Sequence, residues 1–240
     1  MKELKTTKYW LFDLDNTLYA GETKVFDQVD KKMSSFISKK LKINIEEAKK
    51  IQKKYFHLYS TTLNGMIKHH DIDAEEFLEF VHDVDLNFLD KDEMLKKELK
   101  NLNGKKFIFT NGSRSHANNV IKRIGIEDLF DGIFDITDSN YIPKPMVDPY
   151  NKIIEKYRLE PEFCVFIEDI ARNLKPAHNL GMKTVWIKND EPWASEFSNS
   201  EFVHYQTDNL AKFLGEINGT HQKGSRTWIH GTHDQIRISS

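Results

Sequence analysis

The chain has 240 residues, 39% of them hydrophobic and 30% charged, with a formal net charge of −2. That length suffices for one large domain, or for a core with a smaller insert, in an ordinary soluble composition. The charge supplies no field to draw nucleic acid or an acidic membrane, so neither is expected as a partner, and a substrate anion must be held by local groups.

The first apolar run is Tyr9–Phe12. It is apolar at nearly every position, as expected of a strand buried on both faces in a parallel sheet. From Ala20 to about Lys100 no strand is evident. Helical periods appear instead: Phe26, Val29, Met33, Phe36, Ile37 and Leu41; then Ala48, Ile51, Tyr55, Leu58 and Tyr59; then Phe77, Leu78 and Val81. This stretch is predicted to be an inserted helical domain, with linkers near 19–24 and 86–91.

A second strand is predicted at Phe107–Phe109, followed by a helix from Ser113 to Ile124 that stops at Gly125. A third run, Gly132–Ile136, precedes a helix at Pro149–Tyr157. The fourth, Cys164–Ile167, holds the chain's only cysteine. No internal disulfide is possible, and Cys164 is expected to be a small buried hydrophobe. A helix over Leu174–Leu180 ends at Gly181, with Asn173 a candidate N-cap and Pro176 in the tolerated first turn. The fifth run is Thr184–Ile187. Residues from Asn218 onward show no period and few apolar positions. The predicted division is a core of 1–19 and 96–215, a helical domain of 20–95, and a loosely ordered tail of 216–240. No signal peptide and no apolar run near 18 residues are seen, so the expected location is cytoplasmic.

Alternating strands and helices predict an α/β fold with a parallel sheet flanked by helices. Ligands of open α/β sheets bind just outside the carboxyl ends of the strands. Asp13 and Asp15 follow the first run, Thr110 and Asn111 the second, Lys144 the third, and Glu168 and Asp169 the fourth. Four strand ends thus offer carboxylates, a hydroxyl, an amide and a lysine to one place. Carboxylates so close repel unless a cation joins them, and oxygen-only ligands suit a hard ion such as Mg²⁺.

The same groups suit a phosphoryl ligand. Thr110 can donate from its hydroxyl, Asn111 from its amide, Lys144 as a point charge, and the helix after Ser113 from its free N–H groups. Asp13 and Asp15 are two apart and share a face on an extended chain. Asp13 can then attack phosphorus as a nucleophile, while Asp15, kept partly protonated by its neighbours, serves as acid and base. Taken singly, each feature has a plainer reading as a loop, turn or helix start; the joint order after four apolar runs favours chemistry.

Other residues are weighed and set aside. His57, His69, His70 and His82 match no zinc-helix spacing and are expected at the surface or half-buried. Tyr55, Phe56 and Tyr59 fit either a base-stacking pocket or a packed helical stripe. The lysine-rich stretches 39–54 and 96–106 are expected to be solvated faces.

At its motifs the chain resembles the haloacid dehalogenase superfamily of phosphatases. Trp10-Leu-Phe-Asp-Leu-Asp-Asn-Thr-Leu-Tyr19 is similar to the first motif, Thr110-Asn111-Gly112 to the second, Lys144-Pro145 to the third, and Glu168-Asp169 with Asn173 to the fourth. The resemblance covers nearly all of residues 8–190. It implies a Rossmann-like core with an α-helical cap inserted after the first motif. It implies that Asp13 is nucleophile and Mg²⁺ ligand, and that Asp15 is acid/base and binds Mg²⁺ through its carbonyl. It implies that Thr110, Asn111 and Lys144 hold phosphate and that Asp169 binds Mg²⁺, with Glu168 a ligand directly or through water.

Asn16-Thr-Leu-Tyr19, the stretch 59–66, and Pro143-Lys-Pro145 followed by Tyr150 resemble the pyrimidine 5′-nucleotidase branch, although Glu168 stands where that branch implies Asp. The implied partner is a small phosphate monoester, a nucleoside 5′-monophosphate such as UMP or CMP. The alternatives are a sugar-phosphate or phosphoglycolate phosphatase, a phosphomutase, or a catalytically silent phosphate-binding protein. Protein partners are not indicated.

Overall fold

The computed structural model describes residues 2–220. Among these, six parallel strands form one sheet: β1 (Tyr9–Phe12), β2 (Lys105–Phe109), β3 (Gly132–Phe134), β4 (Cys164–Glu168), β5 (Lys183–Ile187) and β6 (Tyr205–Thr207). Their order is β3-β2-β1-β4-β5-β6. The chain runs outward from β1 to β3, then returns to lay β4 on the other side of β1. That reversal makes the β1/β4 boundary the topological switch point, where a crevice opens at the carboxyl ends.

The helices are α1 (Val25–Leu41), α2 (Ile45–Tyr59), α3 (Thr62–His70), α4 (Ala74–His82), α5 (Glu93–Asn101), α6 (Arg114–Ile124), α7 (Val147–Tyr157), α8 (Leu174–Asn179), α9 (Pro192–Ser195) and α10 (Leu210–Asn218). Both faces of the sheet are covered, which is why its strands carry no polar alternation. Trp10, Phe12, Ile108, Val165 and Ile167 pack on one side against Leu99 of α5, Val120 of α6 and Phe213 of α10. Leu11, Phe107, Phe109 and Phe166 pack on the other against Tyr150 and Ile153 of α7 and Leu174 of α8. Cys164 is buried there, and burial pushes its thiol up to about 12. An inert, packed cysteine is the result.

Helices α1 to α4 follow β1 and build a separate apolar cluster from Phe36, Ile37, Tyr55, Met66, Phe77 and Val81. Ile136, just past β3, joins it and ties the helices to the sheet. Side-chain oxygens of Asn44, Thr61 and Asp73 accept from first-turn N–H groups of α2, α3 and α4, satisfying donors that a helix leaves orphaned. At Gly65 α3 lies close against α2: a Cβ there would lie 2.4 Å from Tyr55 Cβ. Gly65→Ala is therefore expected to destabilise the protein by about 1–3 kcal/mol through overpacking, read as a lower urea midpoint.

Four sequence expectations are corrected. The run at 132–136 ends as a strand at Phe134, because the Asp135 carboxylate turns to accept from the backbone N–H of Arg114. β6 was not predicted. Asn173 does not cap α8: it lies in a buried 3-10 turn with helical backbone angles and makes no side-chain cap bond. The tail does not begin at 216, since α10 continues to Asn218, with Ile217 buried and Asn218 donating to Glu98 Oε2 at 2.8 Å. Residues 221–240, the rest of that tail, lie outside the described residues. Among the described residues no helix is long and apolar enough to cross a membrane.

Candidate active site

Strand register brings the acidic groups together. Phe12 pairs with Ile167, and the Asp13 N–H donates to Ile167 O at 2.9 Å, so Asp13 and Glu168 leave adjacent strands side by side. Asp169 follows at once. Each of the three offers a carboxylate oxygen, and these oxygens all lie within 4.8 Å of one another, all three residues being buried.

Lys144 is the counter-charge. Its Nζ donates to Asp13 Oδ1 at 2.7 Å, Glu168 Oε2 at 2.7 Å and Phe109 O at 2.8 Å. All three ammonium hydrogens are thus used, on a side chain only 1% exposed. Burial alone would lower its pKa, but the charges and hydrogen bonds of Asp13 and Glu168 outweigh that and raise it. The lysine is fixed as a cation. The loop that carries it is held by Asn111, whose Oδ1 accepts from Lys144 N at 2.9 Å and whose Nδ2 donates to Lys144 O at 3.3 Å.

One lysine does not balance three carboxylates. Burial, then the charge of Glu168, raises Asp13 to about 7 despite Lys144. Burial with Glu168 and Asp13 pushes Asp169 well above the usual range, although Asn189 Nδ2 donates to its Oδ2 at 2.8 Å. Groups that resist ionisation this strongly are short of positive charge. A hard divalent cation among them would supply it, and the donor set, oxygen only, fits such an ion. The cluster can hold a metal.

Asp15 has a different setting. Its Oδ1 accepts from Tyr19 Oη at 2.6 Å and from His116 Nε2 at 2.8 Å. Burial works against ionisation, but the His116 charge and these bonds prevail and hold the carboxyl down at about 2. His116 and Tyr19 thus favour the ionised carboxylate of Asp15, not the partly protonated group expected from sequence. His116 is 1% exposed and stacks on His82, with ring centroids 4.4 Å apart. Ser113 Oγ lies 2.9 Å from His82 Nδ1. Neither His116 nor His82 was singled out as a site residue in the sequence. The signal for Tyr19 was its place four residues after Asp15; for His116, three residues after a capping serine, nothing distinguished it from a core histidine.

Thr110 lies buried at the end of β2, with Oγ1 accepting from Gly112 N at 2.9 Å, which leaves its hydroxyl hydrogen free to be aimed at a ligand. Two phosphate-holding expectations are revised. Asn111 uses its amide to fix the Lys144 backbone. The start of α6 is also largely filled: Asp135 Oδ2 takes the Arg114 N–H at 2.9 Å and Ser113 Oγ takes that of His116 at 3.3 Å.

The cavity above the carboxylates is about 140 Å³. Its floor includes Asp13, Asp15, Thr110 and Lys144; its walls include Phe26 of α1, Phe56 of α2, Arg172 after β4 and Trp193 of α9. Tyr55 and Tyr59 are not among the lining residues. They pair with the insert's own histidines, Tyr55 Oη 2.7 Å from His70 Nε2 and Tyr59 Oη 2.6 Å from His69 Nε2.

Residues 7–181 match the family model of haloacid dehalogenase-like hydrolases. Phosphate metabolism protein 8 of Saccharomyces cerevisiae is 33% identical over 195 residues, which is 73% of this chain; the chain spans only 60% of that protein's length. A glyceraldehyde 3-phosphate phosphatase of Methanocaldococcus jannaschii is 25% identical over 227 residues, 85% of this chain and 94% of that one. In fold, the chain is similar to a phosphatase of the family from Thermococcus onnurineus, with a TM-score of 0.59 and 23% identity over 89% of this chain and 98% of that one. With the parallel sheet and the acidic switch point already placed, the match over 7–181 makes this chain a member of the haloacid dehalogenase-like hydrolases.

Proposed function

We propose that this protein is a Mg²⁺-dependent phosphate-monoester hydrolase that works through a phospho-aspartate on Asp13, with a nucleoside 5′-monophosphate, a pyrimidine nucleotide, as substrate. The observation that carries it is the meeting of Asp13, Glu168, Asp169 and Lys144 at the β1/β4 boundary. The phosphatase among the similar proteins supports the reaction class. The aromatic residues Phe26, Phe56 and Trp193 over the carboxylates support a leaving group with a planar ring.

In this reading Asp13, Asp169 and the Asp15 carbonyl hold Mg²⁺, with Glu168 a ligand directly or through water. When bound, the ion supplies positive charge to the cluster and to the phosphoryl oxygens. Asp13 attacks phosphorus, forming one O–P bond as the ester O–P bond breaks. Thr110 donates to a phosphoryl oxygen, Lys144 stands beside it as fixed positive charge with its three hydrogens on Asp13, Glu168 and Phe109, and Asn111 acts mainly by fixing the Lys144 loop. The negative charge of an arriving phosphate raises the proton affinity of Asp15. Asp15 then protonates the leaving oxygen and, in the second step, takes a proton from the water that frees Asp13. Helices α1–α4, in the span 20–95, act as a cap over this chemistry.

Tyr19 orients Asp15. Tyr19→Phe removes one short hydrogen bond and little else, and is expected to lower kcat by about tenfold with KM within about twofold. The reaction itself is tested by phosphate release from UMP, CMP, ribose 5-phosphate, glyceraldehyde 3-phosphate and p-nitrophenyl phosphate, with Mg²⁺ and again with EDTA. Release that needs Mg²⁺ and is fastest with UMP or CMP is expected. No release from any of them by folded protein would leave a silent phosphate-binding protein as the better reading.

A further inference from the structure

The cavity contains one cation that the phosphate chemistry does not use. Arg172 sits in the turn after β4, three residues beyond Asp169, and is half-buried. Its Nε is buried and has no hydrogen-bond partner. Among the described residues no carboxylate forms an ion pair with its guanidinium. Leaving a guanidinium hydrogen both desolvated and unpaired is costly, and Glu196 and Glu168, whose charges reach Arg172, make no hydrogen bond to it, so a ligand acceptor would satisfy the atom.

What surrounds Arg172 defines that partner. The guanidinium carbon lies 4.5 Å from the centroid of the Phe56 ring. Phe56 meets Trp193 edge to face at 5.4 Å, and Trp193 lies 6.5 Å from Phe26. A guanidinium placed over a ring has its face occupied and presents its donors at its edge, in its own plane. The acceptors that match are those of a flat group. The same wall includes Val29, Met33 and Leu63, which are apolar. A second anion would be poorly solvated against such a wall, whereas a neutral carbonyl on a ring is not penalised so heavily.

We propose that Arg172, held on Phe56, is the specificity-determining residue for the leaving group, donating to the carbonyl edge of a planar ring that packs beside Phe26 and Trp193. The inference rests on the nucleotide reading above and deepens it: the phosphate end is common to all esters, while Arg172 recognises the ring.

The test is steady-state kinetics with Mg²⁺ on UMP, on ribose 5-phosphate, which keeps the phosphate and sugar without the ring, and on 3-phosphoglycerate, which brings a second anion. Arg172→Met keeps length and apolar contact but removes the donors. It is expected to lower kcat/KM for UMP by about 10- to 100-fold, chiefly through KM, with ribose 5-phosphate changed less than about threefold. Arg172→Lys keeps the charge without the planar fork and is expected to lose the ring preference as well; it also serves if the Met variant unfolds. A wild type that prefers UMP, with both variants keeping that preference, overturns the role of Arg172 and leaves the nucleotide reading intact. A wild type that hydrolyses ribose 5-phosphate as well as UMP overturns the nucleotide reading itself. A wild type that prefers 3-phosphoglycerate, and loses it in Arg172→Met, assigns Arg172 to a second anion and overturns the ring.

Discussion

Lys144→Met is expected to cost more stability than any other single substitution at the site, and to lower turnover as well. Among the described residues Lys144 is the only group that donates to both Asp13 and Glu168, at 2.7 Å each. Methionine fills the space and removes the charge. Two buried carboxylates would then face each other with Asp169 beside them. Breaking a buried charge set by deleting one partner costs about 3–5 kcal/mol, which for a chain of this size is a fall in Tm of roughly 6–20 °C. The fall should be largest in metal-free buffer at neutral or higher pH and should shrink when Mg²⁺ is added, because an ion supplies part of the missing charge. Turnover should drop at least about 100-fold even where the protein is folded. Calorimetry with and without Mg²⁺ separates the two effects. A variant as stable as wild type in EDTA would mean that the carboxylates are not paired as described.

Asp13→Asn is expected to have the opposite sign in stability and a larger effect on activity. The amide has nearly the shape of the carboxylate, and its oxygen can still accept from Lys144. It lacks the nucleophilic carboxylate oxygen, so turnover should fall by at least about 1,000-fold. The sign for stability follows from proton affinity. Burial, then Glu168, raises Asp13 to about 7 in the folded protein, above its value in an unfolded chain. The folded state therefore holds this proton more tightly, and ionising Asp13 costs stability as pH rises from about 4 through 7. Asparagine does not ionise and escapes that cost. In metal-free buffer at pH 8 the variant should melt above the wild type, while at pH 4 the two should converge. Thermal melts across that range check the sign, and phosphate release checks the chemistry. Together the two substitutions should be less than additive in stability, since each acts on the same charge imbalance.

Much of this arrangement is legible in the sequence because it depends on local chemistry. Five strands announce themselves as apolar runs, since a parallel sheet covered on both faces allows no polar alternation. β6 is hidden: Tyr205-Gln206-Thr207 is short, lies at the sheet edge and contains a half-exposed glutamine, a pattern shared with many loops. Ser113 and Gly125 mark the ends of α6 by the same caps used in any helix, and both appear as caps. Asn173 carries the same residue type as a cap yet is consumed in a buried turn, a difference that only tertiary packing decides. Asp13, Glu168, Asp169 and Lys144 could be nominated because strand ends converge in open α/β sheets. Tyr19, four residues after Asp15, was within reach of the sequence; His116 on Asp15, Arg172 on Phe56, and Trp193 beside Phe56 were not, because each depends on how elements distant in sequence pack. For the same reason Tyr55 and Tyr59 turn to His70 and His69 instead of the cavity. Asn111 and the start of α6 look free in sequence, but Lys144 and Asp135 claim their donors.

The most direct measurement is a crystal structure of the protein soaked in Mn²⁺, which shares the octahedral oxygen preference of Mg²⁺ and is located by its anomalous signal. One strong peak touching carboxylate oxygens of both Asp13 and Asp169, at about 2.0–2.2 Å, is the expected result. A peak elsewhere with this crevice empty, or the two aspartates turned to unrelated surfaces, would contradict it.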